Sequence, residues 1–314
     1  MSRALIFPGQ GAQTIGMGRA LAEAYRDAAL VFEEVDEALG ERLSSIIWDG
    51  DLDALTLTRN AQPALMATSM AAMAALGSEG VSVESASHVA GHSLGEYSAL
   101  VASGALSLSD AARLLRVRGS AMQEAVPVGE GAMAAILGLD HGAVASVAER
   151  AAQGEVCVAA NDNDPSQVVV SGTKAAVERA IEIARDRGAR RAILLPVSAP
   201  FHCELMAPAA SRMADELSDV ELRPPKVNFV ANVSASVVSD PTELRRSLVD
   251  QVTHSVRWRE SVEVMIGNGV SEIWEVGAGK ALSGMVRRID RSIRLRGVGT
   301  PEEVRAVVES LTES

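Results

Sequence analysis

The chain is poor in cysteine, has no long apolar run and carries no excess of positive charge, and each shortage excludes a class of protein. Two cysteines in 314 residues, Cys157 and Cys203, build no disulfide framework and have no metal-ligand spacing, which fits a reducing cytoplasm. No stretch approaches the length of a membrane span. The start, Met1 to Pro8, has too short an apolar core for a signal peptide and enters a Pro-Gly turn at once. A net charge of −12 argues against nucleic acid or an anionic membrane as the partner. Internal repeats and low-complexity linkers are also missing. What remains is 47% apolar and 22% charged, the balance of a soluble globular protein. The length suits one large domain, or a large one with a smaller insert.

Apolar runs and breakers along the chain alternate strand and helix. A strand over Ala4 to Phe7 leads into a glycine loop and a helix running to about Leu39. A second helix, Pro63 to Leu76, has proline near its start. Ala86 to Ala90 reads as a strand, Glu96 to Ala102 as a helix, and Asp110 to Glu124 as a helix with Ser109 as N-cap. From Pro127 the order becomes β-α-β-β-α-β, with Asn161 to Pro165 as a turn between two strands; this is the split βαβ pattern of a ferredoxin-like domain. After Pro196 a helix (Cys203 to Leu217), a strand (Val227 to Ala231), a capping box at Asp240–Glu243, a helix over Ser261 to Gly267 and a last strand (Glu272 to Val276) follow. The expected fold is α/β: a parallel-sheet domain of residues 1–126 and 197–314, interrupted by a ferredoxin-like insert at 127–196.

The chemistry centres on Gly91-His92-Ser93-Leu94-Gly95, which has the form of a nucleophile elbow. The two glycines allow a strand to turn sharply into a helix, lifting the serine hydroxyl clear of the sheet. The turn also brings the Leu94 backbone N–H to a helix N-terminus, where an oxyanion is stabilised. A serine needs a base. Of five histidines, His92 diverges from Ser93 in an elbow, His88 belongs to the strand and His141 starts a helix of the insert. His202 follows a strand in an irregular segment, Ser198 to His202, the usual place of a base in an open α/β sheet, and is preferred to His254 near a helix end. No Asp or Glu stands out as a third member, so a backbone or amide carbonyl is expected to orient the imidazole.

Arg118 is the second clue. At about 100° per residue, Ala111, Leu114, Leu115 and Met122 share one stripe and Arg118 falls in its middle, while Arg113 and Arg116 point away. A guanidinium on a buried face must find an anion. Two partners are open: a buried carboxylate of the chain, or a substrate carboxylate held in two parallel hydrogen bonds. The loop Phe7 to Gln13 fails the dinucleotide fingerprint and the P-loop, and serves better to offer a backbone N–H to an oxyanion. Gly277-Ala278-Gly279-Lys280 also lacks P-loop spacing and reads as a strand-to-helix turn near the cleft.

Five segments in order, Phe7–Gly11, Gly91–Tyr97, Arg118-Gly119 with Met122-Gln123, Pro200–His202 and Glu275–Lys280, closely resemble the malonyl-CoA:acyl-carrier-protein transacylases, relatives of polyketide-synthase acyltransferase domains. That resemblance covers nearly the whole chain. It implies an α/β-hydrolase-like large domain with a ferredoxin-like insert and a ping-pong transfer of malonate through a malonyl-serine ester. Ser93 would be acylated, His202 would be the base and Arg118 would hold the malonyl carboxylate. Backbone N–H groups of Gln10 and Leu94 would form the oxyanion hole, and the backbone carbonyl of Gln251 would orient the histidine. Asn161 aligns with a position lining the cleft, and Phe201 resembles the malonyl-selective pattern. The implied partners are malonyl-CoA and acyl carrier protein, with no metal or resident cofactor, in a cytoplasmic monomer. Arg187, Arg190, Arg191, Arg287 and Arg288 are expected to form a basic rim for an acidic carrier. Termini without linker-like tails favour a discrete enzyme. The rival readings are a polyketide acyltransferase, a serine hydrolase or thioesterase, and a carrier-binding module without turnover.

Overall fold

The strands, in chain order, are β1 (Ser2–Phe7), β2 (His88–Gly91), β3 (Gly131–Leu137), β4 (Cys157–Asp164), β5 (Gln167–Thr173), β6 (Arg191–Leu194), β7 (Asn228–Ala231), β8 (Ser236–Val238), β9 (Val270–Val276) and β10 (Arg294–Val298). The computed structural model describes residues 2–197 and 199–312; Met1 and Ser198, the latter heading the segment that carries His202, lie outside them. Six strands form one sheet in the order β10-β9-β1-β2-β7-β8, parallel except for the β7–β8 pair. The apolar runs of β1 and β2 occupy its centre, in register from Ala4 opposite His88 to Phe7 opposite Gly91. Both strands are buried on both faces, as parallel strands covered by helices must be.

Strands β3 to β6 form a separate antiparallel sheet in the order β4-β5-β3-β6, with the helices His141–Ala152 and Lys174–Asp186 packed on one face. That is the ferredoxin-like order expected from the sequence. No helix among the described residues is long and apolar enough to cross a membrane.

Several local expectations are corrected. Asn161 to Asp164 is not a turn but the end of β4, and only Pro165 and Ser166 turn. Side-chain turn chemistry is overridden there because Asp162 N–H bonds Val256 O and the Asp162 and Asp164 carboxylates meet Arg259 and Arg288. Ser107, not Ser109, caps the helix Leu108–Glu124, its hydroxyl accepting from the Asp110 N–H. Pro63 lies inside a longer helix, Thr58–Ser78, whose residues from Thr58 to Ala72 are buried almost without break, so burial outweighs the lost N–H. The helix expected to end at Leu39 breaks at the extended Tyr25. The segment expected to be helical from Cys203 begins as a 3-10 turn, Glu204–Met206, before the helix Ala207–Ser218. Asp240 caps Thr242 and Glu243 as expected, but Glu243 turns to Arg246 instead of closing a box. Helix Trp258–Gly267 starts three residues early, and β10, within the arginine-rich C-terminal run, was not foreseen.

The elbow depends on its glycines. A Cβ on Gly91 would come within 1.9 Å of the Gly95 carbonyl, and one on Gly95 within 2.3 Å of Phe7 O. Gly91→Ala is therefore expected to lower stability by about 3 kcal/mol or more. A denaturant midpoint matching that of the unsubstituted chain would show that the turn can relax.

Candidate active site

Strand β2 ends at Gly91 and the helix Gly95–Ala102 begins four residues later, so the chain reverses around Ser93. Ser93 itself has φ of 53°, a left-handed conformation that a residue with a Cβ adopts only when its surroundings impose it. Side chains hold both of its backbone groups. Its N–H donates to Asn232 Oδ1 at 2.8 Å, and its carbonyl accepts from Gln251 Nε2 at 2.9 Å. Asn232 also donates from Nδ2 to Gly91 O, closing a strap across the turn.

His202 lies on the segment by which the chain re-enters the large sheet and has φ of 59°. It is 3% exposed. Its Nε2 is 2.8 Å from Ser93 Oγ, and its Nδ1 is 2.8 Å from the backbone oxygen of Gln251. A carbonyl only accepts, so Nδ1 carries the ring proton and Nε2 presents its lone pair to the serine hydroxyl. The carbonyl expected in place of a triad acid is thus present. Burial, then the nearby Arg118 charge, push the histidine down to about 3, with the Gln251 carbonyl opposing. His202 accordingly stays neutral and able to accept a proton across the physiological range. Three of the other four histidines are occupied elsewhere: His92 Nε2 meets Asn163 Oδ1 at 2.9 Å, His88 bonds Ser87, and the exposed His254 bonds Asp250 O, while His141 begins a helix on the smaller sheet.

Arg118 is 1% exposed, as its place on the apolar stripe requires. Nη1 donates to Gln62 Oε1 at 2.8 Å and Nη2 to Gln251 Oε1 at 2.7 Å, with Ser93 Oγ at 3.2 Å from Nη2. Its Nε has no partner, and among the described residues no carboxylate pairs with it. Of the two partners left open by the sequence, a carboxylate bonded directly to Arg118 is not found among the described residues; Glu96 reaches it only through Gln251. Arg116, expected to face away, is half-buried and pairs with Glu41 and Asn60.

These groups border a cavity of about 560 Å³ between the two sheets. Gln10, Ser93, Leu94, Arg118, Asn161, Phe201 and His202 all line it. Gln251 is fully buried behind it. Neither the Gln10 nor the Leu94 backbone N–H has an acceptor within the described residues, so both are available to an oxyanion. The Gly277–Lys280 turn links β9 to the helix Ala281–Ile289, whose first turns also line the cavity. Of the arginines expected to form a basic rim, Arg288 is already paired with Asp164, and Arg187, Arg190, Arg191 and Arg287 are exposed.

Sequence reasoning missed Gln62, Glu96 and Asn232. Gln62 carried no such signal as Arg118 did, since it precedes Pro63, where the sequence reading began its helix, and follows the polar run Thr58-Arg59-Asn60; only the longer helix Thr58–Ser78 places it against Arg118. Glu96 is 1% exposed and accepts from the Asn232 backbone N–H and from Gln251 Nε2. Burial pushes its carboxyl up to about 8, against the pull of those two donors and of Arg118.

Because the folded His202 binds its proton far less readily than an unfolded histidine, it detracts from stability only below the ordinary histidine pKa, increasingly as pH falls toward about 3. In isotope-labelled protein the His202 ring is expected not to titrate between about pH 8 and pH 5. Arg118→Met should move its titration upward. An ordinary histidine titration in the unsubstituted chain would contradict the electrostatics described.

Residues 4–278 match the family described as acyl transferase domain. The malonyl CoA-acyl carrier protein transacylase of Bacillus subtilis (strain 168) is 45% identical over 311 residues, covering 99% of this chain and 97% of the relative. An acyl-carrier-protein-S-malonyltransferase from Bartonella henselae superposes with a TM-score of 0.97 at 53% identity, over 99% of this chain and 100% of that one. A malonyl-transacylase solved with a type II PKS acyl-carrier protein superposes at 0.96 with 39% identity, over 99% and 100%. Similarity along essentially the full length joins the serine–histidine geometry to one lineage: this chain belongs to the acyl transferase domain family, among the malonyl CoA-acyl carrier protein transacylases.

Proposed function

We propose that the chain transfers a malonyl group from malonyl-CoA to the phosphopantetheine thiol of acyl carrier protein, by a ping-pong reaction through a malonyl ester on Ser93. The observation that carries this reading is Arg118, a buried guanidinium with no carboxylate of its own, 3.2 Å from the serine hydroxyl. Bound malonate supplies the missing anion at that distance from the nucleophile.

In the first half-reaction His202 Nε2 takes the Ser93 proton as Oγ attacks the thioester carbonyl carbon. The tetrahedral oxyanion is held by the Gln10 and Leu94 N–H groups. As it collapses, the C–S bond breaks and the CoA thiolate takes the proton from His202. In the second half-reaction His202 takes the proton of the carrier's thiol, and the sulfur attacks the ester. The C–O bond then breaks and the proton returns to Ser93 Oγ. Ester and thioester pass through the same kind of oxyanion, so one pair of donors serves both halves. The reaction asks for no metal or resident cofactor.

We also take residues 127–196 as a smaller lobe inserted into the catalytic domain of 1–126 and 197–314, acting within a monomer. Asn161 and Phe201 are assigned to the cavity wall that meets the acyl group. Arg187, Arg190, Arg191 and Arg287 are assigned to the carrier-docking rim.

A neutral-ester hydrolase on the same elbow has no use for Arg118, which separates that rival by experiment. Incubation with malonyl-CoA should add one malonyl group by intact mass, absent in Ser93→Ala and passed on to holo carrier protein. Arg118→Ala should lose its malonyl-over-acetyl preference by about a hundredfold or more, since a site built for a carboxylate strongly rejects the analogue lacking it. Preference that survives the substitution would make Arg118 purely structural. Reversing the charge of Arg191 and Arg287 should raise the KM for carrier protein, and an unaltered KM would count against that rim.

A further inference from the structure

We propose that Glu96 is a positioning residue: it fixes the side-chain amide of Gln251 with its oxygen toward Arg118, and so sets the guanidinium for a carboxylated acyl group. This rests on the reading that Arg118 receives the malonyl carboxylate.

Glu96 touches neither Ser93 Oγ nor the His202 ring, so it acts only through other residues. Its Oε1 accepts the Asn232 backbone N–H at 2.5 Å, and its Oε2 accepts Gln251 Nε2. The same Nε2 donates to the Ser93 carbonyl at 2.9 Å, while Gln251 Oε1 accepts from Arg118 Nη2 at 2.7 Å. The amide thus lies between a carboxylate, which only accepts, and a guanidinium, which only donates. Rotated by half a turn, it would set donor against donor at Arg118 and acceptor against acceptor at Glu96. All three side chains are essentially excluded from solvent, so water cannot repair such a mismatch.

Glu96→Gln is the informative substitution because it keeps shape and removes one acceptor. The Asn232 N–H belongs to the backbone and cannot turn away, so the new amide must give it the oxygen. Its NH2 then faces Gln251. Gln251 must rotate to accept, which brings its own NH2 against Arg118 and takes its donor from the Ser93 carbonyl. The cost falls on Arg118: the Ser93 carbonyl keeps the Glu96 backbone N–H at 3.0 Å, the Asn232 strap is untouched, and the Gln251 backbone carbonyl stays on His202.

N–H donors on both Glu96 oxygens mark this arrangement as that of the ionised acid. Arg118 is the charged group that faces it, and the neighbouring Tyr97, pushed up to about 12, remains neutral. Since burial pushes the carboxyl up to about 8, the comparison belongs at about pH 9, on its ionised side.

Serine acylation by malonyl-CoA and by acetyl-CoA would be timed for the unsubstituted chain and for Glu96→Gln, each checked for folding by thermal melting. The malonyl kcat/KM is expected to fall by about tenfold or more through KM, the effect of a buried donor left facing a donor. The acetyl rate should stay within about threefold. A folded Glu96→Gln that keeps the full malonyl preference overturns the proposal. So does an equal loss with both thioesters, which marks a general structural role. If the variant does not fold, neutron diffraction from the unsubstituted chain reads the same order directly. Deuterium on the Gln251 atom facing Glu96 supports the proposal, and the amide oxygen in that position overturns it. An unsubstituted chain that gains no malonyl adduct sinks the parent reading, and the neutron map still decides the orientation of Gln251.

Discussion

A buried cation to which no carboxylate bonds directly is the constraint on which this site turns. Several other buried charges among the described residues are paired. Asp162 meets Arg259, Asp164 meets Arg288, and Glu272 lies between Arg3 and Arg296. Glu275, with no cation bonded to it, is satisfied by the N–H groups of Leu282 and Ser283. Arg118 alone of these buried groups is offered only neutral oxygens, from Gln62, Gln251 and Ser93. Removing a guanidinium from water costs several kcal/mol unless opposite charge arrives, so an arrangement that withholds the partner is one that waits for it. The same charge depresses His202, and a substrate carboxylate that neutralises it strengthens the base at the moment a proton must move.

Recognition and chemistry also share hardware. Gln251 gives its backbone oxygen to His202, its side-chain oxygen to Arg118 and its side-chain nitrogen to the Ser93 carbonyl. One residue at the end of the helix Pro241–Gln251 therefore registers base, nucleophile and cation against each other. The positive φ of Ser93 is one of two strained elements in this assembly, with that of His202. It persists because Asn232 and Gln251, brought from distant parts of the chain, grip its two backbone groups.

What was legible in the sequence follows the range of the physics involved. Elbow, glycine loop and helix stripe are local patterns, and local sterics and periodicity decide them, so Ser93 and Arg118 were found at once. His202 was reached by elimination, because its distance from Ser93 along the chain hides their contact. The family resemblance supplied the Gln251 backbone carbonyl, but nothing local announces that its side chain reaches Arg118. Glu96 and Asn232 were invisible for the same reason: their partners lie more than a hundred residues away. The misreading of Asn161–Asp164 has the converse cause. Asn and Asp carry strong turn chemistry, yet pairing with β5, the bond to Val256 and two arginines outweigh it.

That same hairpin bears on selectivity. The end of β4 is tied to the large sheet's side by Asp162–Arg259, Asp164–Arg288 and the His92–Asn163 contact, so the smaller sheet meets the elbow through these bonds. Met133, Val169 and Phe201 line the cavity there. Apolar walls discriminate weakly, since one methylene is worth only about 1–3 kcal/mol. A missing carboxylate leaves the buried guanidinium unpaired, a larger and less forgiving loss. In the proposed reaction, presence of the acid group is thus the strict filter and branching of the acyl chain the lenient one. The strict filter sits on Arg118 and its amide neighbours rather than on the cavity's shape.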